Sequence, residues 1–318
     1  MNKKQRVSAA LKGEPVDRIP ASFSLHFPAY ASSGKKAIEA HRKFFHETDV
    51  DIYKVMNENL YSQDITIEKA EDWKHVKPIT GSETYVQDQL DIIKAISDEF
   101  GSEGYVYATI HGLFASAFHA TKDDDANLAH HDKVTAHLAE RPDIVGPALK
   151  RIAEGLAHFV TLCIEAGAEG IYYAALGAES YRYSREDFSR YIKPNDIIVL
   201  EAAGRAPAGT ILHMCKDQLN IDLYKDYPGD IVNWATHEQN ISLDEGRALF
   251  QRPILGGFDD RAGVLVDGSK EEIEEEVRRL VKAYGPTNYM LGADCTLPTE
   301  IPYERIRWAV DALKQIGV

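Results

Sequence analysis

Residues 142–174 read PDIVGPALKRIAEGLAHFVTLCIEAGAEGIYYA, and this stretch contains one complete unit of the fold. In its first part, apolar side chains recur at a spacing close to 3.6 residues, which predicts an amphipathic helix over residues 142–166. Gly167 and Gly170 follow the helix and lead into a short apolar run at residues 171–174, which predicts a buried strand. A helix followed directly by a strand is the repeating unit of parallel α/β proteins.

Short apolar runs alternate with helical patterns along the rest of the chain as well. The predicted strands lie at residues 19–27, 51–56, 105–110, 171–174, 210–213, 231–235, 253–256 and 289–292. The predicted helices lie at residues 84–99, 126–140, 142–166, 184–203, 269–284 and 302–316. This strand count in one chain favours a closed (β/α)8 TIM barrel over an open sheet, and we expect a single α/β domain over residues 1–318. Chemistry in such barrels takes place at the carboxyl ends of the strands.

The composition is that of an ordinary globular protein. Of the 318 residues, 44% are hydrophobic and 27% are charged, and the formal net charge is −14. Nucleic-acid-binding proteins carry clustered basic charge, so the acidic balance argues against that class of function. No apolar run approaches the roughly 18 residues that a membrane span needs, and no apolar segment typical of a signal peptide follows the basic start. We therefore expect a cytoplasmic protein with reduced thiols, either a monomer or a homodimer.

Two of the predicted strands end in residues that bind transition metals. His213 and Cys215 lie at the end of the strand at residues 210–213, and Cys295 follows the last strand. Thiolate and imidazole are ligands that Zn²⁺ prefers, and three protein ligands leave the open position that is typical of catalytic zinc. The alternative is that a thiol packs as a small apolar side chain, which we favour for Cys163 inside its apolar helix. The residues alone leave both interpretations open for Cys215 and Cys295.

The sequence resembles the uroporphyrinogen decarboxylase superfamily along most of its length. The resemblance is carried by LKGEPVDRIP at residues 11–20, His213-x-Cys215, LGGFD at residues 255–259 and the closing stretch at residues 289–302. This superfamily folds as a (β/α)8 barrel. Its decarboxylases hold a tetrapyrrole with arginines soon after the opening motif, whereas residues 23–30 of this chain read FSLHFPAY. A substrate with many carboxylates needs such cations, so the resemblance does not favour decarboxylation.

The other branch of the superfamily consists of cobalamin-dependent methyltransferases, such as the methylcobamide:coenzyme M methyltransferases. Its zinc ligands form a His-x-Cys, a long gap and a second Cys, which His213, Cys215 and Cys295 match. The resemblance therefore implies zinc-dependent methyl transfer between a methyl-corrinoid and a small acceptor such as a thiol. Because the chain contains no Asp-x-His-x-x-Gly motif for binding cobalamin, we expect the corrinoid on a separate partner protein. One departure is Lys216, where many relatives have glycine after the His-x-Cys.

Other polar and aromatic residues lie at or after the predicted strand ends. Tyr173 and His237 are the candidates for catalytic groups that support the metal ligands, and His26, His111 and Trp234 are the candidates for contact with the cofactor. Each could instead be a satisfied polar side chain of the barrel rim.

Two acidic residues near the candidate zinc ligands belong to the same prediction. Asp294 could orient a ligand, and Glu238 could occupy the fourth zinc position. Three other functions stay open: a uroporphyrinogen-type decarboxylase, a carrier of a tetrapyrrole or corrinoid without catalysis, and a hydrolase that uses zinc-bound water.

Overall fold

The computed structural model describes residues 1–123 and 132–316, and in this part of the chain a curved parallel sheet is surrounded by helices. The strands are β1 (Ile52–Val55), β2 (Tyr105–His111), β3 (Gly170–Ala175), β4 (Thr210–Met214), β5 (Ile231–Trp234), β6 (Ile254–Phe258) and β7 (Tyr289–Ala293). Each strand pairs in parallel with the next along the chain, so the strand order follows the sequence. Nearly every strand residue is buried, as expected for a sheet covered on both faces.

The helices lie mainly on the outer face of the sheet. They are α1 (Lys3–Leu11), α2 (Gly34–Thr48), α3 (Thr84–Phe100), α4 (Leu113–Thr121), α5 (Lys133–Glu140), α6 (Pro142–Glu165), α7 (Arg185–Asp187), α8 (Lys193–Ala203), α9 (Leu243–Phe250), α10 (Val264–Asp267), α11 (Lys270–Tyr284) and α12 (Tyr303–Ile316). The helix predicted at residues 126–140 corresponds to α5 in its described part, and its first residues lie outside the described ranges. Within those ranges, every helix is too short or too polar to cross a lipid bilayer.

Local sequence signals explain where several helices begin. The Ser184 hydroxyl accepts the Asp187 N–H at the start of α7, and a π-helical turn (Phe188–Ile192) connects α7 to α8. Ser269 and Glu272 form a complete capping box before α11. These contacts satisfy N–H groups that have no partner inside the helix, so the predicted starts are confirmed.

The prediction of a regular first strand at residues 19–27 is wrong in detail. This stretch is extended, but it forms only isolated bridges, through Ala21 to Leu291 and through Leu25 to Leu297. Its hydrogen bonds with β7 run from Ser22 N to Leu291 O and from Leu291 N to Pro20 O, each 2.9 Å long. The stretch therefore occupies the eighth position of the barrel without being a full strand. We call residues 19–27 the closing segment.

On its other side, the closing segment is held by the backbone and the side chain of Asp51, the residue that precedes β1. Asp51 N donates to Ala21 O at 2.8 Å, and the Asp51 carboxylate receives the Ala21 N–H at 2.9 Å. Because a carboxylate takes the place of a strand carbonyl, the regular ladder between the closing segment and β1 is interrupted. Pro20 adds to this effect because it has no N–H to donate.

The same carboxylate is the centre of a buried ionic cluster. Asp51 is fully buried and accepts hydrogen bonds from Arg6 at 2.8 Å and from Arg18 at 2.7 and 2.9 Å. Arg6 also forms two bonds with Asp17. Asp17 and Arg18 belong to the opening motif that carries the family resemblance, so this motif ties α1, the closing segment and β1 together.

Candidate functional site

A cavity of about 380 Å³ opens at the carboxyl ends of the strands, where a barrel of this kind carries its chemistry. Its walls come from the closing segment, from β1 to β4 with the loop after β1, from α4 and from the loop after β7. The surface is mostly apolar, with a few polar groups that converge on one end, as is typical of small-molecule sites. Its polar lining includes Lys54, Tyr172, His213, Cys215, Lys216 and Cys295.

His213, Cys215 and Cys295 form the candidate metal centre. Their ligand atoms all lie within 4.8 Å of one another. The two sulfur atoms are 3.8 Å apart, and Cys295 Sγ is 3.3 Å from His213 Nε2. With Zn–S bonds of about 2.3 Å and a Zn–N bond of about 2.0 Å, tetrahedral zinc would place two sulfurs about 3.8 Å apart and a sulfur and a nitrogen about 3.5 Å apart. The donor atoms and these two distances therefore fit Zn²⁺.

The two thiols also influence each other's ionisation. The hydrogen bond between the sulfurs lowers the pKa of Cys295 well below its ordinary value, and the nearby His213 acts in the same direction. The same bond and burial raise the pKa of Cys215. Thiols bind metal ions as thiolates, so metal binding at this pair would release protons.

The His213 ring is held by a buried amide on the neighbouring strand. His213 Nδ1 lies 2.5 Å from Asn233 Oδ1, and Asn233 is 1% exposed. This contact leaves the Nε2 atom of His213 directed at Cys295. Sequence reasoning did not identify Asn233, although one signal was present: an amide in the middle of the apolar run of β5 must find buried partners.

An aromatic ring and an ammonium group form the wall next to His213. The Tyr172 ring stacks on the imidazole with a centroid distance of 5.4 Å, and Lys54 Nζ lies 3.5 Å from the centroid of the same Tyr172 ring. Lys54 also donates to Ser24 Oγ of the closing segment at 3.0 Å. Burial lowers the pKa of Lys54 to about 8, and Cys295, Glu58 and Cys215 oppose that shift. With this pKa, the Lys54 side chain carries a positive charge at neutral pH. Lys54 is only 4% exposed.

The residue after Cys215 has an unusual backbone conformation. Lys216 has φ 82°, in the left-handed region that costs a residue other than glycine about 1–3 kcal/mol. The Asn240 side chain holds this turn, because its amide donates to Lys216 O at 2.9 Å while its oxygen accepts the Leu219 N–H at 2.9 Å. Glycine would adopt the same conformation at lower cost.

The structure brings two of the predicted cofactor-contacting residues to the cavity. His26 lies at the rim with 58% of its side chain exposed, and a hydrogen bond to Glu58 raises its pKa. His111 lies deeper, where burial lowers its pKa to about 3 and keeps the ring neutral.

The other three predicted residues lie elsewhere. Successive side chains of a strand point to opposite faces, so Tyr172 faces the cavity while Tyr173 faces the helices, where its hydroxyl contacts Asp196. Trp234 is buried beneath α9, with its N–H donated to Ile241 O at 2.8 Å. His237 is half-exposed outside the cavity.

The two acidic residues of the sequence prediction have partners of their own. Asp294 is fully buried and accepts the His237 N–H at 2.7 Å and the Thr236 hydroxyl at 3.0 Å, while His237 Nδ1 lies 2.9 Å from the same carboxylate. Asp294 therefore fixes the loop after β5. Glu238 pairs with Arg261 at 2.6 Å.

Comparison with known sequences assigns the chain to a family. The sequence profile of the uroporphyrinogen decarboxylase (URO-D) family matches residues 50–316. The chain is 23% identical over 310 residues to the methylcobamide:CoM methyltransferase MtbA of Methanosarcina acetivorans, a match that covers 87% of this chain and 88% of that protein. The methylcobamide:CoM methyltransferase MtbA of Methanosarcina mazei is 23% identical over 218 residues, which cover 69% of this chain and 61% of that protein.

Solved structures show the same architecture. A methyltransferase from Methanosarcina mazei has a TM-score of 0.71 at 16% identity and covers 99% of both chains. The B12-independent methionine synthase of Shewanella sp. W3-18-1 has a TM-score of 0.62 at 11% identity and covers 93% of this chain and 96% of that one. At such identities, the likeness concerns the fold alone. Since the family profile spans most of the sequence and the barrel agrees with it, the chain belongs to the uroporphyrinogen decarboxylase (URO-D) family.

Proposed function

We propose that this protein is a zinc-dependent methyltransferase, which moves a methyl group between a methyl-corrinoid on a separate protein and a small thiol. His213, Cys215 and Cys295 hold the Zn²⁺. The observation that carries the proposal is the convergence of these three donors at one end of a cavity of small-molecule size. The similarity to two methylcobamide:CoM methyltransferases supports the same reaction class.

The site is suited to a thiol acceptor because a free thiol is a weak nucleophile. Its pKa is about 8.5, and Zn²⁺ held by these ligands would lower that pKa so that the acceptor sulfur is a thiolate at neutral pH. The protein's own part is positioning, since the ligands fix one end of the acceptor and the apolar walls restrict water. In the reaction, a bond forms between the acceptor sulfur and the methyl carbon. The methyl–cobalt bond of the corrinoid breaks, and its electron pair stays on cobalt.

Lys54 indicates that the acceptor carries negative charge. Its ammonium group is buried, and among residues 1–123 and 132–316 no carboxylate lies within ion-pair distance of Nζ. A buried charge without a counter-ion is costly, so the cavity favours a ligand that carries negative charge. The acceptor thiolate, or an acid group on the same molecule, supplies it.

In this proposal the corrinoid lies at the mouth of the cavity. A volume of about 380 Å³ suits a small acceptor and leaves no room for a whole corrinoid beside it. His26 at the rim and the exposed Leu60, which also lines the opening, are the groups most accessible to a corrinoid presented from outside. His111 lies further inside and would contact the acceptor instead.

The cavity gives less support to decarboxylation of a polycarboxylate. Among the described residues that line it, none is an arginine, and the cationic side chains are Lys54 and Lys216. A substrate with many carboxylates would leave most of its charges without a partner in this mostly apolar space.

The test measures metal content together with methyl transfer. The purified protein, its Cys295→Ser variant and a Cys163→Ala control are compared, because Cys163 is a buried core residue remote from the site. We expect about one zinc per chain in the wild type and the control, and a large loss in Cys295→Ser. The zinc-loaded wild type should then demethylate methylcobalamin with one or more thiols. A folded wild type that takes up no zinc, or that transfers methyl to no thiol of a broad panel, would contradict the proposal.

A further inference from the structure

The orientation of the Asn233 side chain is determined by its neighbours. Its Nδ2 donates to Leu255 O at 2.8 Å and to Ala293 O at 3.0 Å. Both partners are backbone carbonyls, which only accept hydrogen bonds. The flipped amide would place Oδ1 against two carbonyl oxygens in a fully buried position, which is strongly unfavourable. The amide oxygen therefore points the other way, toward His213.

That oxygen in turn determines which nitrogen of His213 carries the proton. Asn233 Oδ1 lies 2.5 Å from His213 Nδ1 and 3.3 Å from the Tyr172 hydroxyl. An amide oxygen cannot donate, so both groups must donate to it. His213 is then protonated on Nδ1, and Nε2 presents its lone pair 3.3 Å from Cys295 Sγ. With two donated and two accepted bonds, every hydrogen-bonding position of Asn233 is used.

We propose that Asn233 is a positioning residue of the metal centre, with two functions. It fixes the tautomer of His213 so that Nε2 is free to bind the metal. It also connects β4 to the end of β7, because the side chain that holds His213 donates to Ala293 O, two residues before Cys295. One amide on β5 thus sets the relative position of ligands from two other strands. The inference rests on the proposed zinc site.

An amide suits this position better than the carboxylate that often orients a zinc-bound histidine. Two thiolates and a neutral imidazole already balance the charge of Zn²⁺. A carboxylate would add a buried negative charge, and it would turn an oxygen toward Leu255 O and Ala293 O, which need donors. An amide accepts from the imidazole and donates to both strands without adding charge.

The test uses two substitutions that separate these functions. Asn233→Leu removes both the acceptor for His213 and the two donors, whereas Asn233→Asp keeps an acceptor for His213 and loses the donors. Asn195→Asp is the matched control, because Asn195 is also a buried amide that donates to a carbonyl, Tyr191 O at 2.7 Å, in a helix that contributes no ligand. Zinc dissociation constants are measured by competition with a chromophoric chelator.

We expect zinc affinity to fall about 10- to 100-fold in both Asn233 variants and to change little in the Asn195 control, since partners of metal ligands typically have effects of this size. The nitrogen-15 spectrum of the histidines gives a direct second readout. Wild type and Asn233→Asp should show His213 protonated on Nδ1, and Asn233→Leu should show a mixture of tautomers.

Two results would overturn the inference. One is a folded Asn233→Leu variant that binds zinc as tightly as the wild type. The other is a wild-type spectrum with the His213 proton on Nε2, which decides the question even if Asn233→Leu does not fold. Both readouts are independent of methyl transfer. A protein that binds zinc in this way but transfers no methyl group would contradict the proposed function and leave the role of Asn233 intact.

Discussion

Replacing Asp51 by asparagine should weaken the barrel at the point where it closes. The fully buried carboxylate accepts three hydrogen bonds from Arg6 and Arg18 and a fourth from Ala21 N. Asparagine has nearly the same shape, but it has no charge and one of its two polar atoms is a donor. That NH₂ group would face guanidinium or amide donors, and Arg18, 7% exposed, would lose its carboxylate partner.

The expected loss of unfolding free energy depends on which ion pairs remain after the substitution. Breaking a buried ion pair by removing one partner typically costs about 3–5 kcal/mol, because the other charge stays buried without compensation. Arg6 keeps its bonds to Asp17, so we expect the lower part of this range, about 3 kcal/mol. Urea unfolding followed by circular dichroism measures the change. Hydrogen exchange at the Ala21 and Ser22 amides should also become faster, since these N–H groups connect the closing segment to Asp51 and to Leu291 of β7.

Asp49→Asn is the matched control two residues away. Asp49 pairs with Lys3 and Lys314 at 2.8 Å, but its side chain is 30% exposed, and asparagine tolerates its φ of 56°. Exposed pairs contribute about 1 kcal/mol or less, so this variant should stay close to the wild type. The reasoning fails if Asp51→Asn loses less than about 1 kcal/mol, or no more than Asp49→Asn.

Two further predictions concern buried charges. Lys54→Met should raise the KM for the thiol acceptor by about 10-fold or more, since a hydrogen bond to a charged group contributes about 1.5–3 kcal/mol. Lys54→Arg should restore part of the loss, and an unchanged KM for Lys54→Met in steady-state kinetics would argue against a role in binding the charge. Burial raises the pKa of Asp196 to about 7, whereas its pKa in the unfolded state is 3.8. Between about pH 4 and 7 the folded state therefore holds a proton that the unfolded state has released. The protein loses stability as the pH rises through this range. Asp196→Asn should remove this loss, so its stability relative to the wild type should increase over that range in urea titrations at several pH values. If the difference in unfolding free energy between variant and wild type is the same at pH 5 and pH 8, Asp196 does not titrate there.

Most of the barrel could be predicted because buried parallel strands are short apolar runs between helices. The strands from β1 to β7 and the long helix α6 agree with the sequence pattern within a few residues. The closing segment is a region where the local sequence pattern does not reveal the pairing. Its residues have the composition of a strand, but the Asp51 carboxylate interrupts the ladder. Asp51 is 30 residues from Ala21 in the sequence, and a contact at that separation leaves no trace in local periodicity.

The candidate site could be predicted only as far as residue chemistry allows. Two thiols and an imidazole at strand ends suggest zinc whatever their exact geometry. Which of two adjacent tyrosines faces the cavity depends on the phase of β3, and a strand buried on both faces has no alternating pattern that would reveal it. Asn233 could not be predicted for a related reason, since its role comes from four partners on four other strands.

The closing segment has a consequence for the order in which the protein is assembled. It joins residues 20–25 to residues 291–297, so the two sides of this seam are separated by about 270 positions in the chain. Contacts between such distant positions carry the largest loop-closure entropy and tend to form late in folding. During synthesis, the closing segment is made about 270 residues before β7, so it cannot pair with that strand until β7 has left the ribosome. Cys295 lies just beyond that strand, so the complete set of three ligands also exists only once the residues after β7 have been made.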